Sequence, residues 1–311
     1  MFFIKLSITR QLKAFQAFAF LAFLSIATGS TAQNYIDLVK FEYAGSSVNT
    51  FDSSETTTSL YELNGDITIP LVINDKLTLL PGFTYEKIVA SFNPNRNEES
   101  LTGMTLKLGV NVTHNEKWSG TYLVLPKISS DMNELSKRDM QVGGVALIKY
   151  TKSAHLNYKF GVYGNGELFG PFIVPIFGMY YLSPTDKFEA KILLPLSVDL
   201  NYSISSSSRF GMNFKGQIRT YNVNTPIDAE PNRYLVRSTN ELFSYFQYGL
   251  KNGINLQLGV GRSIGRTFRM YDEKIKFGLP LVYFGDNRTQ LNTDFSDSWL
   301  YKASVFYRLK F

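Results

Sequence analysis

The feature that most constrains this chain is a strict two-residue alternation of apolar and polar side chains, repeated along its length. From 188 to 202, Phe188, Ala190, Ile192, Leu194, Leu196, Val198, Leu200 and Tyr202 keep one parity for fifteen residues. In 63–73, Leu63, Gly65, Ile67, Ile69, Leu71 and Ile73 oppose Asn64, Asp66 and Thr68. In 102–113, Met104, Leu106, Leu108, Val110 and Val112 oppose Thr105, Lys107, Asn111 and Thr113. The same holds in 77–86, 209–219, 254–260 and 301–311. Period two places successive side chains on opposite faces of a strand, so each segment has one apolar and one polar face. No comparable stripe of helical period with caps follows residue 33.

A soluble sandwich also alternates, with its apolar face inward. Length and connections separate the two cases. Several segments run 10–14 residues, whereas soluble strands run about 5–6 and a tilted membrane strand needs about 9–11. Tight connections (74–76, 115–117, 151–154, 183–186, 205–208, 251–253) alternate with longer polar ones (45–57, 91–100, 129–139, 223–233 and roughly 270–298). Short turns at one end and long loops at the other are the pattern of an outer-membrane barrel. Hydrocarbon leaves no partner for an unpaired backbone group, so a spanning sheet must close on itself. The expected fold is therefore all-β, a transmembrane antiparallel up-and-down barrel of about 12–14 strands. The strands fall at 35–44, 58–73, 77–90, 101–114, 117–128, 140–150, 155–165, 171–182, 187–196, 197–204, 209–222, 234–250, 254–269 and 299–311. If 35–44 is a periplasmic lead-in and one more segment fails, as at the break near Pro195, the count is twelve. The 25 Phe and 19 Tyr suit aromatic girdles, with Trp118, Trp299 and Tyr301 at strand ends.

Residues 1–32 read as a cleaved signal peptide. A basic start holding Lys5, Arg10 and Lys13 precedes an apolar stretch at 14–29, then Ser30 and Ala32 at the −3 and −1 positions. That stretch is shorter than the roughly 20 residues that span a bilayer. Cleavage between Ala32 and Gln33 leaves residues 33–311 as one barrel domain. Removing 1–32 also lowers the net charge from +6 to +3, and with no basic run this excludes a nucleic-acid binder. With no cysteine there is no disulfide framework, thiol nucleophile, cysteine metal site or lipid-anchored cysteine.

The signal pattern, the alternation, the paired short and long connections and the closing "VFYRLKF" resemble the Gram-negative outer-membrane β-barrel class. Within it the chain resembles uncharacterised single-barrel outer-membrane proteins, a domain of unknown function. The resemblance covers the whole mature chain. It implies outer-membrane lipids as surroundings, and recognition of the last strand by the barrel-assembly machinery through Tyr307, Leu309 and Phe311.

Chemistry is harder to find. The two histidines, His114 and His155, sit beside short turns, away from the face where barrel hydrolases work. The His-to-Ser spacing in 113–120 does not match the phospholipase pattern it superficially resembles. No cofactor or metal is expected and the chain is not read as an enzyme. Function is instead sought on the polar parity. If the apolar parity meets lipid, the lumen receives Lys107, Lys127, Lys149, Lys159, Lys191, Lys215, Arg219, Lys302, Arg308 and Lys310, against Asp66, Glu86, Glu189 and Asp199. That excess of cations favours anions in an open bore. The leading reading is a narrow passive channel for small solutes, with anions preferred. The alternative is a structural or surface-interaction barrel using loops 223–233 and 270–298, with a hydrolase last.

Overall fold

The computed structural model describes residues 35–94, 96–224 and 232–310, with only the backbone described at Ser47 and Lys310. The expected signal peptide, the cleavage point at Ala32 and Gln33, and Phe311 lie outside these residues.

Fourteen antiparallel wall strands form one closed barrel. They are β1 (Tyr35–Thr50), β2 (Thr57–Thr68, continued by Leu71–Asn74), β3 (Leu77–Leu79 and Gly82–Ala90), β4 (Glu99–Thr113), β5 (Trp118–Ser130), β6 (Met140–Ser153) and β7 (Leu156–Glu167). Then follow β8 (Gly170–Leu182), β9 (Phe188–Leu194), β10 (Ser197–Ser203), β11 (Ser208–Asn222), β12 (Tyr234–Gly249), β13 (Ile254–Ser263 with Thr267–Tyr271) and β14 (Trp299–Lys310). Each strand pairs with its sequence neighbours, and β14 pairs with β1 from Tyr35↔Lys310 to Ser46↔Leu300, which closes the seam. Closure at this seam removes the edges that the first and last strands would otherwise expose.

Alternation becomes sidedness in the wall. Phe41, Leu63, Leu108, Val124, Phe160, Phe210, Phe246, Leu258 and Val305 point outward and are exposed, forming an apolar belt around the barrel. Their polar strand neighbours, such as Glu42, Glu62, Gln247 and Ser304, are buried inside. A soluble sandwich would have the opposite sign, so the membrane reading follows from which parity is dry.

The strand at 35–44 and the two strands flanking Pro195 form as expected, and one bound moves. Residues 35–44 are a full wall strand, and β1 runs on through 45–50, expected as loop, to Thr50. Its extension turns Ser46 and Asn49 into the interior, and both are fully buried. The break near Pro195 is a hairpin tip: Leu196 N–H closes on the Leu193 carbonyl at 2.8 Å.

That hairpin is short. β9 pairs with β8 only from Phe177↔Leu194 to Leu182↔Glu189. β10 pairs with β11 only from Ser197↔Lys215 to Ser203↔Arg209. The wall is therefore missing two half-strands toward the long-connection end, between the upper parts of β8 and β11. The upper β11–β12 ribbon does not bridge this gap but turns into the barrel. Asn222 pairs in parallel with Ser130 of β5, and Asp131 N–H donates to the Asn222 carbonyl at 3.0 Å. As a result Thr220, Asn222, Tyr234 and Val236, which carry the lipid-facing parity, are buried. Their face packs onto the inner surface of β6–β8.

Candidate functional site

Three layers fill the barrel interior, from the short-turn end to the long-connection end. Around the short-turn end is a polar basin. Arg308 on β14 makes a bidentate pair with Asp37 of β1 (2.6 and 2.9 Å) and lies 3.8 Å over the Tyr35 ring. Lys191 of β9 lies 4.3 Å from the same ring and bonds the Tyr35 hydroxyl. Glu189 collects Tyr35 (2.6 Å), Tyr180 (2.9 Å), Asn201 (3.0 Å) and Arg209 (3.4 Å). Asp199 accepts from Tyr245 at 2.9 Å. Between them is a cavity of about 80 Å³ whose charged lining is Asp37, Lys40, Lys191, Asp199, Arg209 and Arg308.

The middle layer is an ion-pair network centred on Arg237 of β12. Its guanidinium meets Glu62 of β2 (2.6 Å), Glu86 of β3 (3.0 Å) and Glu241 four residues along the same strand (3.7 Å), and the side chain is 2 % exposed. Glu86 also takes Arg219 (3.3 Å), Gln217 (3.2 Å) and the Tyr221 hydroxyl. Lys302 pairs with Glu42 (3.4 Å) and reaches Glu241 (3.9 Å), while Lys40 pairs with Glu42 (2.8 Å). A buried guanidinium tolerates this site because several carboxylates surround it; single buried ions are expelled. To one side Lys127 meets Glu167 (3.4 Å), and Glu167 accepts from the Thr220 backbone at 3.0 Å, tying the folded-in ribbon to β7. Lys107 pairs with Asp66 at 2.6 Å. Lys215, opposite Glu241 in register, is exposed.

The long-connection end is dry. Phe51, Leu60, Phe92, Tyr221, Phe268 and Phe295 belong to one buried apolar cluster, with Phe268 5.4 Å from both Phe92 and Phe295. Burying such side chains is worth about 1.5–3 kcal/mol each, so this end is a packed cap.

The residues expected to line the lumen fall into these layers as follows. Lys191, Glu189 and Asp199 lie in the basin. Glu86, Arg219 and Lys215 lie at or beside the central network. Lys127 and Lys107 sit in separate side pairs. Alternation alone missed Arg237, Glu42, Glu62, Glu167 and Glu241. Glu62 extends the polar parity of Asn64 and Asp66, a signal present in the sequence. Arg237 shares its parity with Leu235, Phe243 and Tyr245, so no clean polar face marked it. With these five residues the excess of positive charge falls from six to three. Tyr307 and Leu309 lie on the outward parity of β14; Tyr307 is exposed. His114 Nε2 is 3.4 Å from the Tyr122 hydroxyl, and among the described residues neither histidine ring meets a Ser, Asp or Glu side chain.

A family model described as Domain of unknown function (DUF6268) matches residues 28–302. The chain belongs to this family. No curated protein matches the sequence. Among solved structures, the DUF6268 chain is similar to an outer membrane channel from Pseudomonas putida F1, at 9 % identity and TM-score 0.45, over 88 % of this chain and 95 % of that one. It is similar to the toluene transporter TodX of P. putida at 9 % identity and TM-score 0.42, over 89 % and 91 %. The NanC porin is more distant, at 9 % identity and TM-score 0.32, over 86 % and 100 %. These are likenesses of barrel architecture, and the layers of the DUF6268 lumen stand on their own geometry.

Proposed function

We propose that this protein is an outer-membrane barrel of a Gram-negative bacterium that acts as a narrow, normally closed passive channel for small solutes. The observation that carries the reading is the charged file inside an apolar-belted closed wall, running from the Arg237 network to the Arg308 basin. Such a file holds water and ions once its internal pairs part. Passage requires the apolar cap and the folded-in ribbon to shift, so conduction is gated. Small anions fit best, because Lys40, Lys191, Arg209 and Arg308 outnumber Asp37, Asp199 and Glu189 around the basin by one. The belt of outward Phe, Leu and Val supports the membrane location, and the exposed Tyr307 on the closing strand supports recognition by assembly machinery.

Purified protein in a planar bilayer under a salt gradient tests this reading. Open steps should reverse at an anion-selective potential, and Lys191→Gln with Arg209→Gln should move that potential toward zero. A cation-selective reversal would refute the anion preference. Of the two loops that motivate the surface-interaction alternative, 270–298 is partly anchored on the barrel through Ile275 and Phe295, and residues 225–231 of the other lie outside the described residues.

A further inference from the structure

We infer that the gap between the upper halves of β8 and β11 is a lateral port, through which a compact apolar molecule dissolved in the membrane reaches the barrel interior. The inference rests on the membrane location proposed above and not on conduction, so a silent bilayer recording would leave it standing.

The gap follows from the register. β8 pairs with β7 along its whole length, but only its lower half has a partner on the other edge. The unpartnered half reads "PFIVPIF" (171–177). Prolines cannot donate to a ladder and are confined to edges, and Pro171 and Pro175 both fall on this half-strand. Its side chains are apolar on both faces: Ile173 and Phe177 are exposed outward, while Phe172, Val174 and Ile176 are buried inward. Lower in the barrel the inner face carries charge.

What lines the gap matches an apolar occupant. Phe169, Phe172, Val174, Tyr234, Val236 and Ile275 form one buried cluster, with Leu196 from the short hairpin at its inner end. What closes the gap has little ladder pairing to the wall. Residues 273–288 form a strap whose hairpin (Phe277–Leu279 with Val282–Phe284) takes the place of the missing strands. Only Phe172↔Gly278 pairs it with β8. At its base the strap is anchored by Ile275, which is buried in this cluster and donates its N–H to the Phe169 carbonyl at 2.8 Å, and by the Tyr234 hydroxyl on the Glu273 carbonyl. Beyond that base Arg288 is a clasp, lying over the rings of Tyr271 (4.2 Å), Tyr283 (5.2 Å) and Phe169 (5.6 Å) and held by a bidentate pair with Asp286 at 2.8 Å. The strap tip presents Leu281 (97 % exposed), Val282 and Phe284 outward, an apolar edge suited to lipid contact. A wall meant to stay sealed would be completed by strands; this one is completed by a removable segment over an aromatic and aliphatic lining.

The test is photolabelling in phosphatidylcholine vesicles with the small apolar probe phenyl-trifluoromethyl-diazirine, mapped by peptide mass spectrometry. Lipid-facing Phe177 and Phe246 report probe in the bilayer; Val174 and Ile176 report entry. Arg288→Ala should raise labelling of Val174 and Ile176 about fivefold, the population shift from losing roughly one cation–π clasp, with Phe177 and Phe246 unchanged. Replacing 277–284 by a Gly-Ser linker should raise it further, and Leu196→Trp, which fills the inner end, should lower it. Unchanged labelling of Val174 and Ile176 in both strap variants would overturn the proposal. So would an equal rise at Phe92 and Phe268, which would mean general loosening.

Discussion

Removing the Arg237 side chain would leave Glu62 and Glu86 buried and facing each other without the cation that joins them. Breaking one partner out of a buried network costs about 3–5 kcal/mol, so Arg237→Ala should lower the urea midpoint of the refolded barrel by a corresponding amount. Arg237→Lys keeps the charge but loses the planar fork that spans two carboxylates, and should fall between. Equal midpoints for all three would show that the network carries no stability. At this scale the sequence was readable only in part. Glu86 and Arg219 stood out because their strands alternate cleanly. Arg237 did not, because the inward parity of β12 carries apolar residues that pack in the cap and against Lys302, whose Nζ lies 4.0 Å from the Phe243 ring. Parity names a face; it does not say at what depth that face turns from polar to dry.

Strand positions were legible, since each depends on local alternation and nearby turn residues. The fold-in of the β11–β12 ribbon was not. Ile218, Thr220 and Asn222 keep the lipid-facing parity, and nothing in β11 itself shows that β6–β8 cover them. The clue lay in β8, where Pro171, Pro175 and two apolar faces mark an edge strand, and in the short run to Pro195. The strap that covers this edge has its own prediction. Arg288 hydrogen bonds hold the Asp286 carboxyl below its ordinary value. A depressed carboxylate lends stability above its unfolded value and loses it as pH falls through the folded one. Hydrogen-exchange protection in 277–284, taken relative to the intrinsic rate at each pH, should therefore hold at neutral pH and fall only below the ordinary aspartate range, near pH 4. Asp286→Asn should abolish this loss of protection. A loss between pH 8 and 6 instead would point to another group.

On the scale of the whole molecule, closure depends on β14 meeting both β13 and β1, with Ala303 opposite Leu258 on one side and Tyr43 on the other. β14 is thus the strand that seals the sheet. Truncating Phe311 together with Tyr307→Ala and Leu309→Ala should lower the folded, membrane-inserted fraction several-fold in cells while leaving export intact, read by heat-modifiable gel mobility. An undiminished inserted fraction would remove these residues from assembly.

The central claim, a polar lumen kept shut by its own ion pairs and cap, is tested most directly by single-channel recording of wild type beside Arg237→Ala. Wild type should give rare, small steps, and the variant frequent and larger ones, because the central pairs no longer hold β2, β3 and β12 together. Flat traces for both at several hundred millivolts would contradict the account.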